Sequence, residues 1–175
     1  MKRLLIFALA LLMMLSSVPA LAASRDFAAI RINEFMASNG DTIEASDGQD
    51  YDWIELFNTA DEDIDLEGLC LSDGKKTLDK FVFPASITLP ANGYLLIFAA
   101  GEEKVTKLED GSTEIMTAFK LSASGEKVVI SYQDVILDIV RFDQQQKDIS
   151  YARKEDGTWA FSKTPTPGAA NEFGE

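Results

Sequence analysis

The chain has 175 residues, with 29 Asp and Glu against 16 Lys and Arg and a net charge of −13. A surface of that sign repels phosphate backbones and anionic lipid, which excludes nucleic acid as the main partner. There is no His and a single Cys, so Ser-His-Asp and Cys-His catalysis, the usual zinc sites and an intrachain disulfide are all excluded.

Lys2 and Arg3 precede an apolar run from Leu4 to Leu15, and Ala20-Leu21-Ala22 closes the segment. A basic start, a short apolar stretch and an A-x-A exit describe a secretory signal peptide. The run falls short of the roughly 20 residues that cross a bilayer. The expectation is a signal over residues 1–22, a mature chain beginning near Ala23, and a product that is secreted, extracellular or held in the cell envelope. After signal cleavage no membrane attachment is expected. Residues 23–175 then form one domain, long enough to bury a core.

Short apolar stretches separated by turn residues fill the rest of the chain. Ala29–Met36 reads as a strand with Ile30 and Ile32 on one face and Arg31 and Asn33 on the other. A polar loop runs to Asp50, and Trp53–Asn58 is the second strand. After an acidic turn come Leu66–Ser72, then Phe81–Phe83 ended by Pro84. Ile87–Leu89 leads through Pro90-Ala91-Asn92-Gly93, a turn signal, into Tyr94–Ala99. The charged stretch from Gly101 to Thr117 reads as a long surface loop. Phe119–Leu121 and Lys127–Tyr132 resume the strands, and Gln133-Asp134 reverses the chain into Val135–Phe142. Ile149–Arg153 and Thr158–Phe161 flank Glu155-Asp156-Gly157, a hairpin with the favoured Asp-Gly pair. The tail Thr164-Pro165-Thr166-Pro167-Gly168 is extended and cannot be helical. No window beyond the first segment keeps a period near 3.6. Eight to ten short strands indicate an all-β, antiparallel sandwich or barrel.

Six motifs in order carry a resemblance. They are Asn33-Glu34-Phe35-Met36-Ala37-Ser38-Asn39, Asp52-Trp53-Ile54-Glu55-Leu56-Phe57-Asn58, Asp65 to Asp73, Phe83 to Tyr94, Phe119 to Glu126, and Thr164 to Asn171. Together they resemble the lamin tail domain in its bacterial secreted form, over nearly the whole of Ile30–Asn171. The resemblance implies an immunoglobulin-like antiparallel β-sandwich and an accessory interaction module. It transfers no catalytic residue. Family members carry Trp after the Gly of the third strand, where this chain has Leu69, which implies different packing there.

Four features are candidate sites. On the Trp53 strand, alternation puts Ile54 and Leu56 on one face and Trp53, Glu55 and Phe57 on the other. The second face is either a partner-binding platform or a surface lying under the loop or tail. Asp47, Asp50 and Asp52, and the turn with Asp61, Glu62, Asp63, Asp65 and Glu67, have the oxygen chemistry of calcium but not the EF-hand spacing, and read as solvated turns. Cys70, between Leu69 and Leu71 but on the opposite face, reads as a small, half-buried thiol. The 101–117 segment is either a recognition loop or an ordinary insertion. No catalytic residue, metal or cofactor is assigned. The leading reading is a non-catalytic interaction or structural module with a protein or cell-surface partner. The alternatives are a carboxylate-dependent extracellular hydrolase, recognisable by two facing carboxylates in a deep groove, and a self-associating structural domain.

Overall fold

The computed structural model describes residues 26–174, so the expected signal segment and its exit before Ala23 lie outside the described residues. A single 3-10 turn, Phe27–Ala29, opens the domain, with Asp26 accepting from the amide of Ala28. Everything after it is strand and turn. The larger sheet contains β1 (Ile30–Met36), β2 (Asp52–Asn58), β7 (Tyr94–Ala99), β8 (Lys104–Lys107), β9 (Thr113–Met116), β12 (Ser150–Arg153) and β13 (Trp159–Ser162). Their spatial order is β13-β12-β1-β2-β7-β9-β8. The smaller sheet contains β4 (Cys70–Ser72), β5 (Phe81–Val82), β10 (Glu126–Tyr132) and β11 (Val135–Phe142), in the order β11-β10-β4-β5. A third ribbon pairs β3 (Ile64–Asp65) with β6 (Thr88–Leu89).

Pairing is antiparallel except where β7 meets β9 at Phe98↔Met116. Between the sheets lies one apolar core. Ile30, Ile32, Ile54, Leu56 and Ile97 from the larger sheet meet Leu71, Val128 and Ile130 from the smaller one. Ile54 and Leu56 have no exposed surface. Turn chemistry sets the hairpins. Gln133 and Asp134 both take positive φ, 48° and 64°, as a two-residue reversal matched to strand twist requires. Gly157 sits at φ 84°, and Lys154 donates to the carbonyl of Thr158 at 2.7 Å to close the β12–β13 loop.

The segment expected to be a long loop over 101–117 is instead the β8–β9 hairpin. Its strands are short and rich in Lys and Glu, so the local pattern reads as solvated. The two strands pair with each other over four residues, a single bridge from Met116 to Phe98 joins them to β7, and Ile115 enters the main core. Leu66–Ser72 divides around Gly68, at φ 82°, into the end of the ribbon and β4. Phe119 and Leu121 are buried core residues without strand geometry. Several of the thirteen strands are only two residues long, below what a sequence pattern resolves.

One irregularity positions everything that follows. The β1–β2 register shifts between Ile32 and Glu34, so Asn33 is an extra residue, a β-bulge. The bulge lets Ile32 and Phe35 both enter the core while Asn33 and Glu34 turn to the outer side of the sheet. It also frees the edge of Ile32, because β12 pairs with β1 only at Glu34 and Phe35. Side chains fill that gap. Asp138 on β11 accepts from the Ile32 amide at 3.0 Å, and Arg153 Nε donates to the Ile32 carbonyl at 2.9 Å. Asp138 and Arg153 are themselves ion-paired, so the pair substitutes for the missing strand and leaves neither backbone group of Ile32 orphaned.

Candidate functional site

The outer face of β2 presents Trp53, Glu55 and Phe57 in succession, and the structure covers each differently. Trp53 has no exposed surface. It packs with Met36, Phe98, Met116, Ala45 and Ala100 in a second apolar cluster on this side of the sheet. The lid is the 37–51 loop. Asn39 ties that loop through its side-chain amide to the carbonyls of Ile43 and Tyr51, at 2.7 and 2.8 Å. Ser46 anchors it on Glu114 of β9 through both its amide and its hydroxyl. The Trp53 indole N–H is buried without a hydrogen-bond partner. Its role is packing.

Glu55 is equally closed, with no exposed surface, and so is Glu34, its cross-strand partner on β1. The C-terminal tail lies over both. Glu34 accepts from the amide and hydroxyl of Thr166, each at 3.1 Å, and from the Ser150 hydroxyl. Glu55 accepts from Asn33 Nδ2 at 2.8 Å and from the amide of Gly168. Asn171 completes the seam, donating to the carbonyls of Asn33 and Arg153 at 3.1 and 2.8 Å. Burial pushes the Glu55 carboxyl up to about 7, and the neighbouring Glu34 adds to the shift. Glu34 is also raised, chiefly by burial. An open platform formed by Trp53, Glu55 and Phe57 together is therefore corrected. Loop and tail cover the first two: covering the Trp53 ring removes a large apolar surface from water, while burial of the Glu55 carboxyl costs free energy that hydrogen bonds from Asn33 and Gly168 partly offset.

The cover ends at Phe57. This half-buried ring stacks on Tyr94, its cross-strand neighbour on β7, with centroids 4.7 Å apart and planes at 23°. Arg31 of β1 is the neighbour on the other side. The row Arg31–Phe57–Tyr94 floors a cleft of 670 Å³. One wall is the β12–β13 hairpin at Lys154 and Asp156, and another is the tail at Asn171 and Phe173. The Lys154 ammonium stands 5.5 Å from the Phe173 ring centroid, joining the two walls by a cation–π contact. Arg31 is exposed, and among the described residues no carboxylate lies within ion-pair distance of it. The cleft combines two rings, a cation and amide groups on a sheet floor.

The remaining candidates resolve into local structure. Asp52 accepts from the Asn39 amide, Asp47 from Gln49 and Tyr51, Asp63 from Ala91, and Asp61 from Asn92. These carboxylates close turns, and among the described residues no group of three His, Cys, Asp or Glu side chains is placed to hold a metal. Cys70 is half-buried and its thiol is pushed up, mainly by burial. The facing carboxylates expected of a hydrolase exist as Glu34 and Glu55, yet they lie sealed under the tail and outside the cleft lining. Asp156 does line the cleft, but it caps its own turn by accepting from the Thr158 amide and hydroxyl, which hold its carboxyl below the usual range.

Sequence alternation identified Phe57 but missed Tyr94, Arg31 and Asn171 as its companions. Their proximity depends on strand order, and only the Tyr94 ring carried a local signal.

Two helix-free sheets packed on one apolar core define an immunoglobulin-like β-sandwich, with the cleft on its outer face. Among the described residues no helix is long and apolar enough to cross a membrane. The chain belongs to the lamin tail domain family: the family model described as Lamin Tail Domain matches residues 23–144. That match covers β1 to β11 and stops short of β12, β13 and the tail. No curated protein matches the chain. The family is one of non-catalytic, immunoglobulin-like interaction and structural modules.

Proposed function

We propose that this chain is an exported, non-catalytic interaction module that captures a protein partner outside the cell or in the cell envelope, and that the partner docks at the cleft over Phe57 and Tyr94. The observation that carries this reading is the exposed row of Arg31 beside a stacked aromatic pair, left open on a sheet face that is otherwise sealed. Aromatic and Arg side chains dominate the binding energy of protein interfaces. Export rests on the basic start, the apolar run and the Ala20-Leu21-Ala22 exit. The acidic surface disfavours nucleic acid and anionic membranes as partners. Two of the four edge strands of the two larger sheets are blunted against self-association, since β8 carries Lys104 and Lys107 and β5 is two residues long before Pro84, whereas β11 and β13 expose Val135 and Phe161.

The test pairs wild type with Tyr94→Ala and Arg31→Ala in pull-downs from the native secretome. Capture of the same partner by wild type, lost in both variants, is the expected result. Undiminished capture by both variants would move the site elsewhere. Mass spectrometry of the exported chain should show an N-terminus at Ala23, and retention of residues 1–22 would overturn the export reading.

A further inference from the structure

The tail that walls the cleft is attached to the sheet in an unusual way. Between Thr164 and Phe173 it forms no strand, so no backbone ladder fastens it. Pro165 and Pro167 have no amide to donate. The amides between and after them, Thr166 and Gly168, each point at a buried carboxyl, Glu34 and Glu55 respectively. Asn171 then closes on Asn33, whose own side chain donates to Glu55. Besides Asn171 and a hydrogen bond from the Ser162 hydroxyl to the Glu172 carbonyl at 2.7 Å, the strap is held by two carboxyl groups that are direct cross-strand partners, a relation in which like charges repel.

Among the described residues nothing cationic offsets that repulsion. From β1 the pair is faced by Asn33, from β7 by Leu96 and the neighbouring Tyr94, from β12 by Ser150, from β13 by Ser162, and from the strap by Thr166, Gly168 and Asn171. The nearest guanidinium, Arg153, is committed to Asp138 and the Ile32 carbonyl. Lys154 lies over Phe173 at the cleft wall. Among the described residues the charge that acts on the Glu55 carboxyl at close range is that of Glu34.

We infer that the strap is a proton-controlled latch: while Glu34 and Glu55 together keep one proton, the strap is shut, and loss of that proton sets two buried negative charges face to face and releases it. Glu34, with three donors, is the better site for the first charge, and Glu55, with two, holds the proton. Burial pushes Glu55 up to about 7, which places the second ionisation between mildly acidic and mildly alkaline pH. Because Asn171 and Phe173 line the cleft, release of the strap removes one of its walls. That consequence rests on the cleft being the partner site, whereas the latch itself does not.

The experiment is amide hydrogen exchange of residues 164–174 from pH 5.5 to 8.5, without partner, corrected for the chemical exchange rate and referenced to β10 and β11. Strap protection should fall by about tenfold or more across pH 7 while the reference strands hold, as loss of a linked proton requires. Glu55→Gln, which has no second charge to gain, should flatten the profile. A flat wild-type profile, or an unchanged step in Glu55→Gln, overturns the latch. If Glu55→Gln does not fold, the wild-type Glu55 carboxyl carbon followed by NMR decides: titration near 7 is expected, and titration near the ordinary value of 4.5 overturns the latch. Failure of the cleft reading is separate, since it shows as full capture by Tyr94→Ala whatever the strap profile.

Discussion

The two faces of β2 are built from the same seven residues and solve burial in opposite ways. On the inner face, Ile54 and Leu56 meet the smaller sheet and are closed by uniform apolar packing. On the outer face no second sheet arrives. Trp53 is closed by a loop, Glu55 by a hydrogen-bonded strap, and Phe57 only by Tyr94 beside it. One face is therefore a core, and the other is a graded surface whose cover runs out at a cleft. In such a sheet the place where improvised cover ends is the place available for recognition.

The comparison can be broken most directly at Trp53. If the loop cluster is a true second core, Trp53→Ala should cost about 3–5 kcal/mol in urea or thermal unfolding, comparable with the about 2–5 kcal/mol expected of Leu56→Ala on the inner face. A harmless Trp53→Ala would mean the outer cluster is loosely held and the two faces differ more than their burial suggests.

Next in size is a pH effect centred on the outer face, where Glu55 is pushed up to about 7; Glu126 on β10 is also raised, chiefly by burial. The folded-state pKa of Glu55 lies above its ordinary value, so its contribution to stability is fully present below about 4.5 and is lost as pH rises through about 7. Glu34 acts in the same direction. Between pH 6 and 8.5 the loss amounts to about 1.4 kcal/mol at most, read from urea midpoints, and Glu55→Gln should reduce it. Asp110, Asp148 and Asp156 are shifted downward and act only in acid, outside that window.

The seam between the sheets is expected to be of similar weight. Asp138→Ala strips the Ile32 amide of its acceptor and Arg153 of its ion pair, and should cost about 1–3 kcal/mol. Smallest of all is Tyr94→Ala, about 1 kcal/mol, since the ring is half-buried in an open cleft. A loss as large as that of Leu56→Ala would show that the Phe57–Tyr94 stack is a structural prop and leave the cleft without a free aromatic floor.

Much of this was legible before any coordinates. The period-2 alternation of β2 separated Ile54 and Leu56 from Trp53, Glu55 and Phe57. The Gln133-Asp134 and Asp156-Gly157 pairs located two hairpins, and Pro84 ended β5. These are local matters, decided by side-chain alternation and by which residues tolerate positive φ. The β8–β9 hairpin was not legible, because its strands are four residues long and carry Lys104, Lys107 and Glu114, which mask the alternation; they pair with each other and meet β7 only at Met116. The sequence left the outer face either a platform or a surface under the loop or tail, and the fold decided between them: a bulge at Asn33 turns Glu34 outward to face Glu55, and a tail over a hundred residues distant closes on both. What the sequence determined alone was the strand class, the turns and the two faces. Which face was sealed, by what, and where the seal ends were decided by the tertiary structure, because hydrogen bonds and packing between residues far apart in the chain depend on sheet order, which no local period encodes.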